Sequence, residues 1–549
     1  MTLVLPGDVL YMILDILGDE KDYNSLYQCA LSSKCFTEFA LTSLYKLYNT
    51  SPVRSGGTDD EQLRNRRPAP TLARKWALMW RSIVLSTFGQ TYLPYYSYIR
   101  YLDLDDLDYL LKDSGFTGKI KQDFFTPEVL DFVSKDYSSK GSKRLRSSRI
   151  FPDNEWIMTK LGGAIVERAT SIRGMSCNIS SSTLVEWLER LPLLRTLSVW
   201  SGAALTDHAG DKLRAHCPDF KQLTIYGWAS KTAETDCEEF LNELSPNTLE
   251  YFEVFSYSHL GPRSIKALGC HLDSLRELKL TSLSIEAIAE LPTLAAPPEL
   301  EVLVLTDSIP TAKTDEFYSI ITRVAEWIRS CKALKRLDLR KFVDDPNLLS
   351  QVLTEDGFQL SSLSLEGYIM SQSRAFHEAL GSQQSLRSLY LRGESTENYI
   401  ENEVFVQALL QLNNLEELEL KDISDGFSLN HIAVLTPFLP HLNRLWISGD
   451  YLNDEVWKSF QCLPNLRSLV IHALSEFTSR GILDFISRLG PGNHGFSLSI
   501  LNATTDANIT EEAQTVIRET LKTKLDGSFD FGLAQEEFSD MDSDAEMSD

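Results

Sequence analysis

The pattern L-x-x-L-x-L recurs, with modest substitution, eleven times along this chain. The copies read LRTLSV, FKQLTI, LEYFEV, LRELKL, LEVLVL, LKRLDL, LSSLSL, LRSLYL, LEELEL, LNRLWI and LRSLVI. They begin at Leu194, Phe220, Leu249, Leu275, Leu300, Leu334, Leu360, Leu386, Leu415, Leu442 and Leu466, each 24 to 34 residues after the last. A period held over so many copies implies one structural unit stacked on itself. Within a copy the fourth and sixth positions are apolar, which sends both side chains to one face of a short strand. Between copies the period changes. In the widest gap Phe317, Ile320, Ile321, Val324, Ile328 and Cys331 fall at helical spacing, which predicts a helix behind the strand. Pro192, Pro218, Pro440 and Pro464 stand two residues before four of the copies, where they stop a helix and extend the chain. One strand and one helix per copy, always in the same direction, predict an α/β array with parallel strands.

This pattern resembles the leucine-rich repeat. The resemblance implies a solenoid, a horseshoe with its parallel strands on the concave face. One departure predicts irregularity: regular members carry Asn or Cys three residues after the last anchor, and here those positions hold Gly202, Leu283, Phe342, Glu394 and Ile423. Weaker copies are expected at IRYLDL, from Ile99, and around Ile172. A degenerate one is expected at FSLSIL, from Phe496, with a capping helix over Glu511–Lys524. Residues 1–50 read as a helical module, 51–90 as a linker with an amphipathic helix, and 91–524 as the solenoid. A mobile basic loop is expected over about 135–150, and an acidic disordered tail over 525–549.

The 549 residues carry a formal net charge of −24, which argues against nucleic acid as the main partner. The eight cysteines are scattered, without the tight pairs of a zinc site, so no metal or cofactor is expected and the thiols read as reduced and mostly buried. No apolar run is long enough to cross a bilayer, and Asp8 and Asp15 interrupt the segment that would serve as a secretory leader. The expectation is a cytoplasmic or nuclear protein with no membrane partner. The island KGSKRLRSSR, 140–149, reads as part of the loop or as a nuclear-import signal.

The opening residues supply a second motif. Val9, Ile13, Ile16 and Leu17 fall along one helical face, with Leu10 and Leu14 beside it, and two further short helical faces follow up to residue 45. So small a unit buries too little apolar area to stand alone. Leu5-Pro6, the helix, Asp22 in an acidic spacer, and S-L-x-x-C-A-L-x-S-K-x-F from Ser25 to Phe36 together resemble the F-box. Trp76 to Leu111 looks like the join found in fungal F-box proteins with degenerate repeats. The resemblance implies docking on a Skp-type adaptor, and through it a cullin–RING ubiquitin ligase. By motif position Leu5, Pro6, Val9, Ile13, Leu17, Leu26, Cys29 and Phe36 would build or support that face, contact and core residues together. The other reading of this unit is a helical cap on the repeat array. The polar linker around Ser55–Pro70 favours an independent module.

In each repeat strand the residue just after the last anchor faces the concave surface. This row reads Trp200, Tyr226, Phe255, Thr281, Thr306, Arg340, Glu366, Arg392, Lys421, Ser448 and His472. Aromatics and arginines dominate interface energetics, so two patches are expected to bind substrate. One comprises Trp200, Tyr226 and Phe255; the other Arg340, Tyr390, Arg392, Lys421 and Trp446. A partner bearing acidic or phosphorylated groups would suit the cations. No phosphate loop, dinucleotide fingerprint or nucleophile elbow occurs, so a non-catalytic receptor subunit is expected. The alternatives are a leucine-rich-repeat protein that activates GTPases and a scaffold unconnected with ubiquitin.

Overall fold

The computed structural model describes residues 6–19, 22–46, 70–135, 137, 152–256, 258–306, 315–341, 346–504 and 509–533. Leu5, most of the linker, nearly all of the basic loop and the acidic tail beyond residue 533 lie outside them. The chain divides into two compact units, Met1–Leu275 and Arg276–Asp549.

The first unit opens with three helices: α1 (Gly7–Asp19), α2 (Tyr23–Ser32) and α3 (Lys34–Tyr45). Leu14, Leu26 and Ala40 form their shared core, and Leu17, Cys29, Phe36 and Phe39 pack against it. Two polar residues set the breaks. Asp22 caps α2 by accepting from the Ser25 amide at 3.0 Å, and Ser33 caps α3 by accepting from the Cys35 amide at 3.3 Å. Gly7 has a steric reason: a Cβ there would stand 3.2 Å from the Phe39 ring, so the small residue lets α3 approach the start of α1. After α4 (Pro70–Thr87) come five strands: β1 (Tyr101–Asp103), β2 (Gly174–Cys177), β3 (Thr196–Ser201), β4 (Gln222–Gly227) and β5 (Tyr251–Val254). Each pairs in parallel with its neighbours in sequence.

One hydrogen-bond geometry repeats along this unit. The carbonyl of the residue two before a strand's first anchored apolar side chain accepts two consecutive amides from the next repeat. Arg100 serves Arg173 and Gly174, Arg173 serves Arg195 and Thr196, Arg195 serves Lys221 and Gln222, and Lys221 serves Glu250 and Tyr251. The carbonyl of Lys46, at the end of α3, accepts from Arg100 and Tyr101 at 3.0 and 3.1 Å in the same way. The three helices therefore abut the array and close its first edge, rather than standing as the separate module that the linker suggested. Linker length misled because residues near 46 return to the place that the chain next visits at residue 100. Tyr45 reinforces the join, its hydroxyl 2.9 Å from Ser82 Oγ on α4 and its ring 4.8 Å from Tyr95.

The second unit contains ten strands among the described residues: β6 (Glu277–Thr281), β7 (Val302–Thr306), β8 (Arg336–Arg340), β9 (Ser362–Ile369), β10 (Ser388–Glu394), β11 (Glu417–Lys421), β12 (Arg444–Asn453), β13 (Ser468–Glu476), β14 (Ser497–Ala503) and β15 (Ser528–Leu533). All pair in parallel with their chain neighbours. The helix expected in the widest gap spans Asp315–Ser330 and buries Phe317, Ile320, Ile321, Val324 and Ile328. The pattern's anchors, such as Leu363, Leu365, Leu389, Leu391, Leu418 and Leu420, are buried. β15 corrects one expected boundary: Ser528–Leu533 pairs with β14, so the array runs past the capping helix and the acidic tail cannot begin at 525.

The missing Asn or Cys turn residues also have an answer. Ser282, Lys341 and Asp422, each following the strand's last outward residue, adopt left-handed backbone with φ of 58°, 55° and 65°. The amides of Ser282 and Lys341 donate to the carbonyls of Thr306 and Glu366 in the next repeat. Backbone does there what a side-chain amide does in regular repeats, and Leu283 and Ile423 then turn inward and are buried. No helix of the described residues is long and apolar enough to cross a membrane. Burial raises the thiols of Cys217, Cys237 and Cys331 to about 12, whereas Cys35, Cys270 and Cys462 are exposed, so fewer thiols are buried than expected.

Candidate functional site

α1 is apolar on both sides. Leu10, Leu14 and Gly18, four residues apart, face the three-helix core. Val9, Met12, Ile13 and Ile16 share the opposite face and are exposed, Met12 by 64% and Ile16 by 54%. Tyr27 and Leu31 on α2 are exposed as well. A unit this small rarely leaves so many large apolar side chains in water without use. The eight residues expected at the adaptor face separate accordingly. Leu5 lies outside the described residues. Pro6, Val9 and Ile13 are exposed, while Leu26 is fully buried and Leu17, Cys29 and Phe36 support the core. Met12, Tyr27 and Leu31 were missed, although the i, i+3, i+4, i+7 spacing of 9, 12, 13 and 16 was there to be read.

On the first unit's sheet, the face away from the anchors carries a ladder of rings. Trp200 stacks on Tyr226 with centroids 4.6 Å apart and planes 9° from parallel, and Tyr226 meets Phe255 at 5.6 Å and 30°. Strand register produces this, since Val199, Ile225 and Val254, the residues before them, lie side by side in adjacent strands. Trp200 and Phe255 remain 38% and 56% exposed. Beside the ladder, Glu253 Oε2 accepts from the Tyr251 hydroxyl at 2.5 Å and from Thr224 Oγ1 at 3.4 Å. Nearer β1, Asp103 and Asp105 are buried; Asp105 accepts from Ser176, and Asp103 caps the helix Leu104–Lys112. Burial, with these two carboxylates adding to it, pushes the Tyr101 phenol far up and keeps it protonated.

The corresponding face of the second unit is a charge network. Thr306, Arg340, Glu366, Arg392 and Lys421 occupy successive register positions, so Glu366 stands between Arg340 and Arg392, and Lys421 follows Arg392. Arg340 lies 3.1 Å from buried Asp338, Arg392 lies 3.6 Å from Glu366 and 3.3 Å from Asp422, and Lys421 lies 3.2 Å from Glu419. Arg444 reaches Glu419 at 3.4 Å. Lys421 also sits over two rings, 5.0 Å from Tyr390 and 4.2 Å from Trp446. The five residues expected as a cationic patch are thus brought together, but as a balanced network whose cations already have partners. The carboxylates lie two residues away in the same strand or one repeat away in the next. A row read in isolation contains Glu366 but misses Asp338, Glu419 and Asp422.

His208, Asp211 and Glu243 bring ligand atoms within 4.8 Å of one another. His208 Nδ1 lies 2.6 Å from Glu243 and Asp211 pairs with Arg214, so each group has a partner within the protein. The hydrogen bond and charge of Glu243 raise the His208 pKa.

Within each unit, one parallel strand per L-x-x-L-x-L copy with helices between makes an α/β repeat array similar in architecture to leucine-rich-repeat solenoids. No family model and no curated protein matches the chain. Among solved structures it is similar to that of the yeast Rad7–Elc1 complex, at 17% identity over 56% of this chain and 78% of that one, with a TM-score of 0.40. It is also similar to TLR13 in complex with ssRNA13, at 11% identity over 67% and 63% and a TM-score of 0.26. A third is PEPR1 with AtPEP1, at 13% identity over 68% and 76% and a TM-score of 0.20.

Proposed function

We propose that this protein is a substrate-recognition subunit of a Skp–cullin–F-box ubiquitin ligase, non-catalytic itself. Its first three helices dock the adaptor, and its repeat strands present the capture surface. The observation that carries the reading is the two-sided α1, whose outward stripe of Val9, Met12, Ile13 and Ile16 is exposed in a unit whose core is already closed. The F-box-like order of Leu5-Pro6, helix, Asp22 and Ser25–Phe36 supports the same reading. Abutment on β1 gives the docked adaptor a fixed lever to the first unit's sheet.

The test mixes the full chain with a Skp-type adaptor and cullin and measures co-purification. Wild type should retain the adaptor, and Val9→Asp with Ile13→Asp should lose it while keeping its circular dichroism and melting temperature, because neither side chain belongs to the core. No adaptor binding by wild type, or equal binding by the double variant, refutes the reading.

A further inference from the structure

The residue whose carbonyl ties one repeat to the next also places a side chain at the edge of the array, just ahead of its strand. In the first unit these residues are Arg100, Arg173, Arg195 and Lys221, before β1, β2, β3 and β4. Four cations thus stand in consecutive repeats, about 4.8 Å apart, in a row of roughly 14 Å. The turns that lead into β1, β2 and β3, residues 97–99, 170–172 and 191–194, contain no Asp or Glu. Carboxylates enter at the far end: Asp219 lies 3.6 Å from Arg195, and Glu250, which takes the next position, lies 2.6 Å from Lys221. Arg100 donates through Nη1 to the carbonyls of Ser97 and Ile99 at 2.9 and 3.0 Å. Arg173 is exposed, and its guanidinium has no ion pair or hydrogen bond among the described residues. Burial, and next the charge of Arg173, lower the pKa of Arg100, so the two guanidinium groups act on each other. In the second unit the same position mixes its signs. It reads Arg276, Glu301, Lys335, Ser361, Arg387 and Glu416, with Lys335 2.9 Å from Glu301 and Arg387 2.8 Å from Glu416.

We propose that this edge of the first unit binds an acidic peptide segment, whose carboxylates bridge Arg173 to Arg100 on one side and to Arg195 on the other. Like charges side by side repel, and an anion laid between them relieves that repulsion while it gains charge-assisted hydrogen bonds. The spacing suits an extended chain. Alternate residues of a strand lie about 6.8 Å apart, so carboxylates at i, i+2 and i+4 span roughly the length of the row. Arg173, at its middle, has its whole donor fork available for bidentate contacts. Asp219 and Glu250 at the far end, and the net charge of −24, oppose a longer polyanion such as nucleic acid. The acidic partner expected on the second unit's cations thus finds unmatched charge at a different place, in the first unit. This binding requires no adaptor and does not rest on the ligase reading.

The test is fluorescence polarisation with the full chain and labelled twelve-residue peptides of one Gly/Ser background. One carries glutamates at three alternate positions, one a single phosphoserine, one three lysines, and one none of these. An oligothymidylate of twelve nucleotides is measured beside them. The glutamate peptide should bind best and weaken with added salt. Arg173→Gln should weaken it about tenfold, and Arg173→Gln with Arg195→Gln further. Neither change should lower the melting temperature, because Arg173 has no partner to lose and the Arg195–Asp219 pair is exposed. Arg387→Gln, at the equivalent position of the second unit but paired with Glu416, should leave binding unchanged. Equal binding of the glutamate and neutral peptides, tighter binding of the phosphoserine peptide or the oligonucleotide, or wild-type affinity in the double variant overturns the proposal. So does a chain that binds the glutamate peptide only after residues 534–549 are removed, since its own acidic end is then the occupant. Adaptor co-purification is run on wild type in parallel. Failure to retain the adaptor with peptide binding intact refutes the ligase reading alone, and the reverse outcome refutes this proposal alone.

Discussion

His377 makes the stability of the second unit depend on pH in a way that can be calculated. The residue lies in the helix Arg374–Leu380, is fully buried, and packs 4.9 Å from the Phe405 ring and 5.7 Å from that of Phe376. Burial among these rings disfavours the imidazolium and lowers the pKa from 6.5 to about 4. Above pH 6.5 the ring is neutral folded or unfolded, and its ionisation contributes nothing. Between 6.5 and 4 the unfolded chain takes up a proton that the folded one refuses, so stability falls as pH falls through that window. Each pH unit costs about 1.4 kcal/mol, giving roughly 1.4 kcal/mol at pH 5.5 and about 2.5 kcal/mol at pH 4.5. Urea denaturation of wild type and His377→Leu at pH 7.5, 6.5, 5.5 and 4.5 isolates this effect, because the carboxylates and the similarly depressed His271 and His431 titrate in both proteins. Packing differences shift the two curves by a constant. The wild-type stability, measured relative to the variant, should fall by about 2 to 3 kcal/mol across the series. Parallel curves would refute the argument, since they would mean that the site hydrates or opens enough to protonate without penalty.

Two further predictions concern the first unit. A Cβ at Gly202 would stand 2.0 Å from the ring of fully buried Trp228, so Gly202→Ala should destabilise by about 1–3 kcal/mol and lower the urea midpoint. Asp106 Oδ2 accepts from the indole nitrogens of both Trp76 and Trp80, at 2.5 and 2.8 Å, which ties α4 to the helix after β1. Asp106→Ala should leave two buried donors without that acceptor and cost about 1–3 kcal/mol for each, with a shift in tryptophan fluorescence; an unchanged spectrum and melting temperature would count against the tie.

The array was legible because its signal is both local and repeated. Leu418 and Leu420 must share a face in any strand, and the same spacing at Leu389 and Leu391 states where the next strand lies. β15 was not legible. Phe529 is its only well-buried apolar anchor, and Gly527 and Asp530 dilute the pattern until it reads as tail. Asp422 was unreadable as a partner of Arg392 for a different reason. The two stand 30 residues apart, and repeat lengths that vary from 24 to 34 conceal which residue of the next repeat falls opposite. The place of α1–α3 was hidden because nothing in the residues around Lys46 marks a carbonyl that takes the role of a strand start.

The same distinction governs which surfaces remain free to bind. A row of outward residues records only what a strand displays, whereas affinity depends on what its neighbours have left uncompensated. Arg340, Arg392 and Lys421 look available when read along the row, yet carboxylates at 3.1 to 3.6 Å already neutralise them. An acidic ligand would have to displace Asp338, Glu366 or Glu419, and Asp338 is almost fully buried, so the exchange gains little.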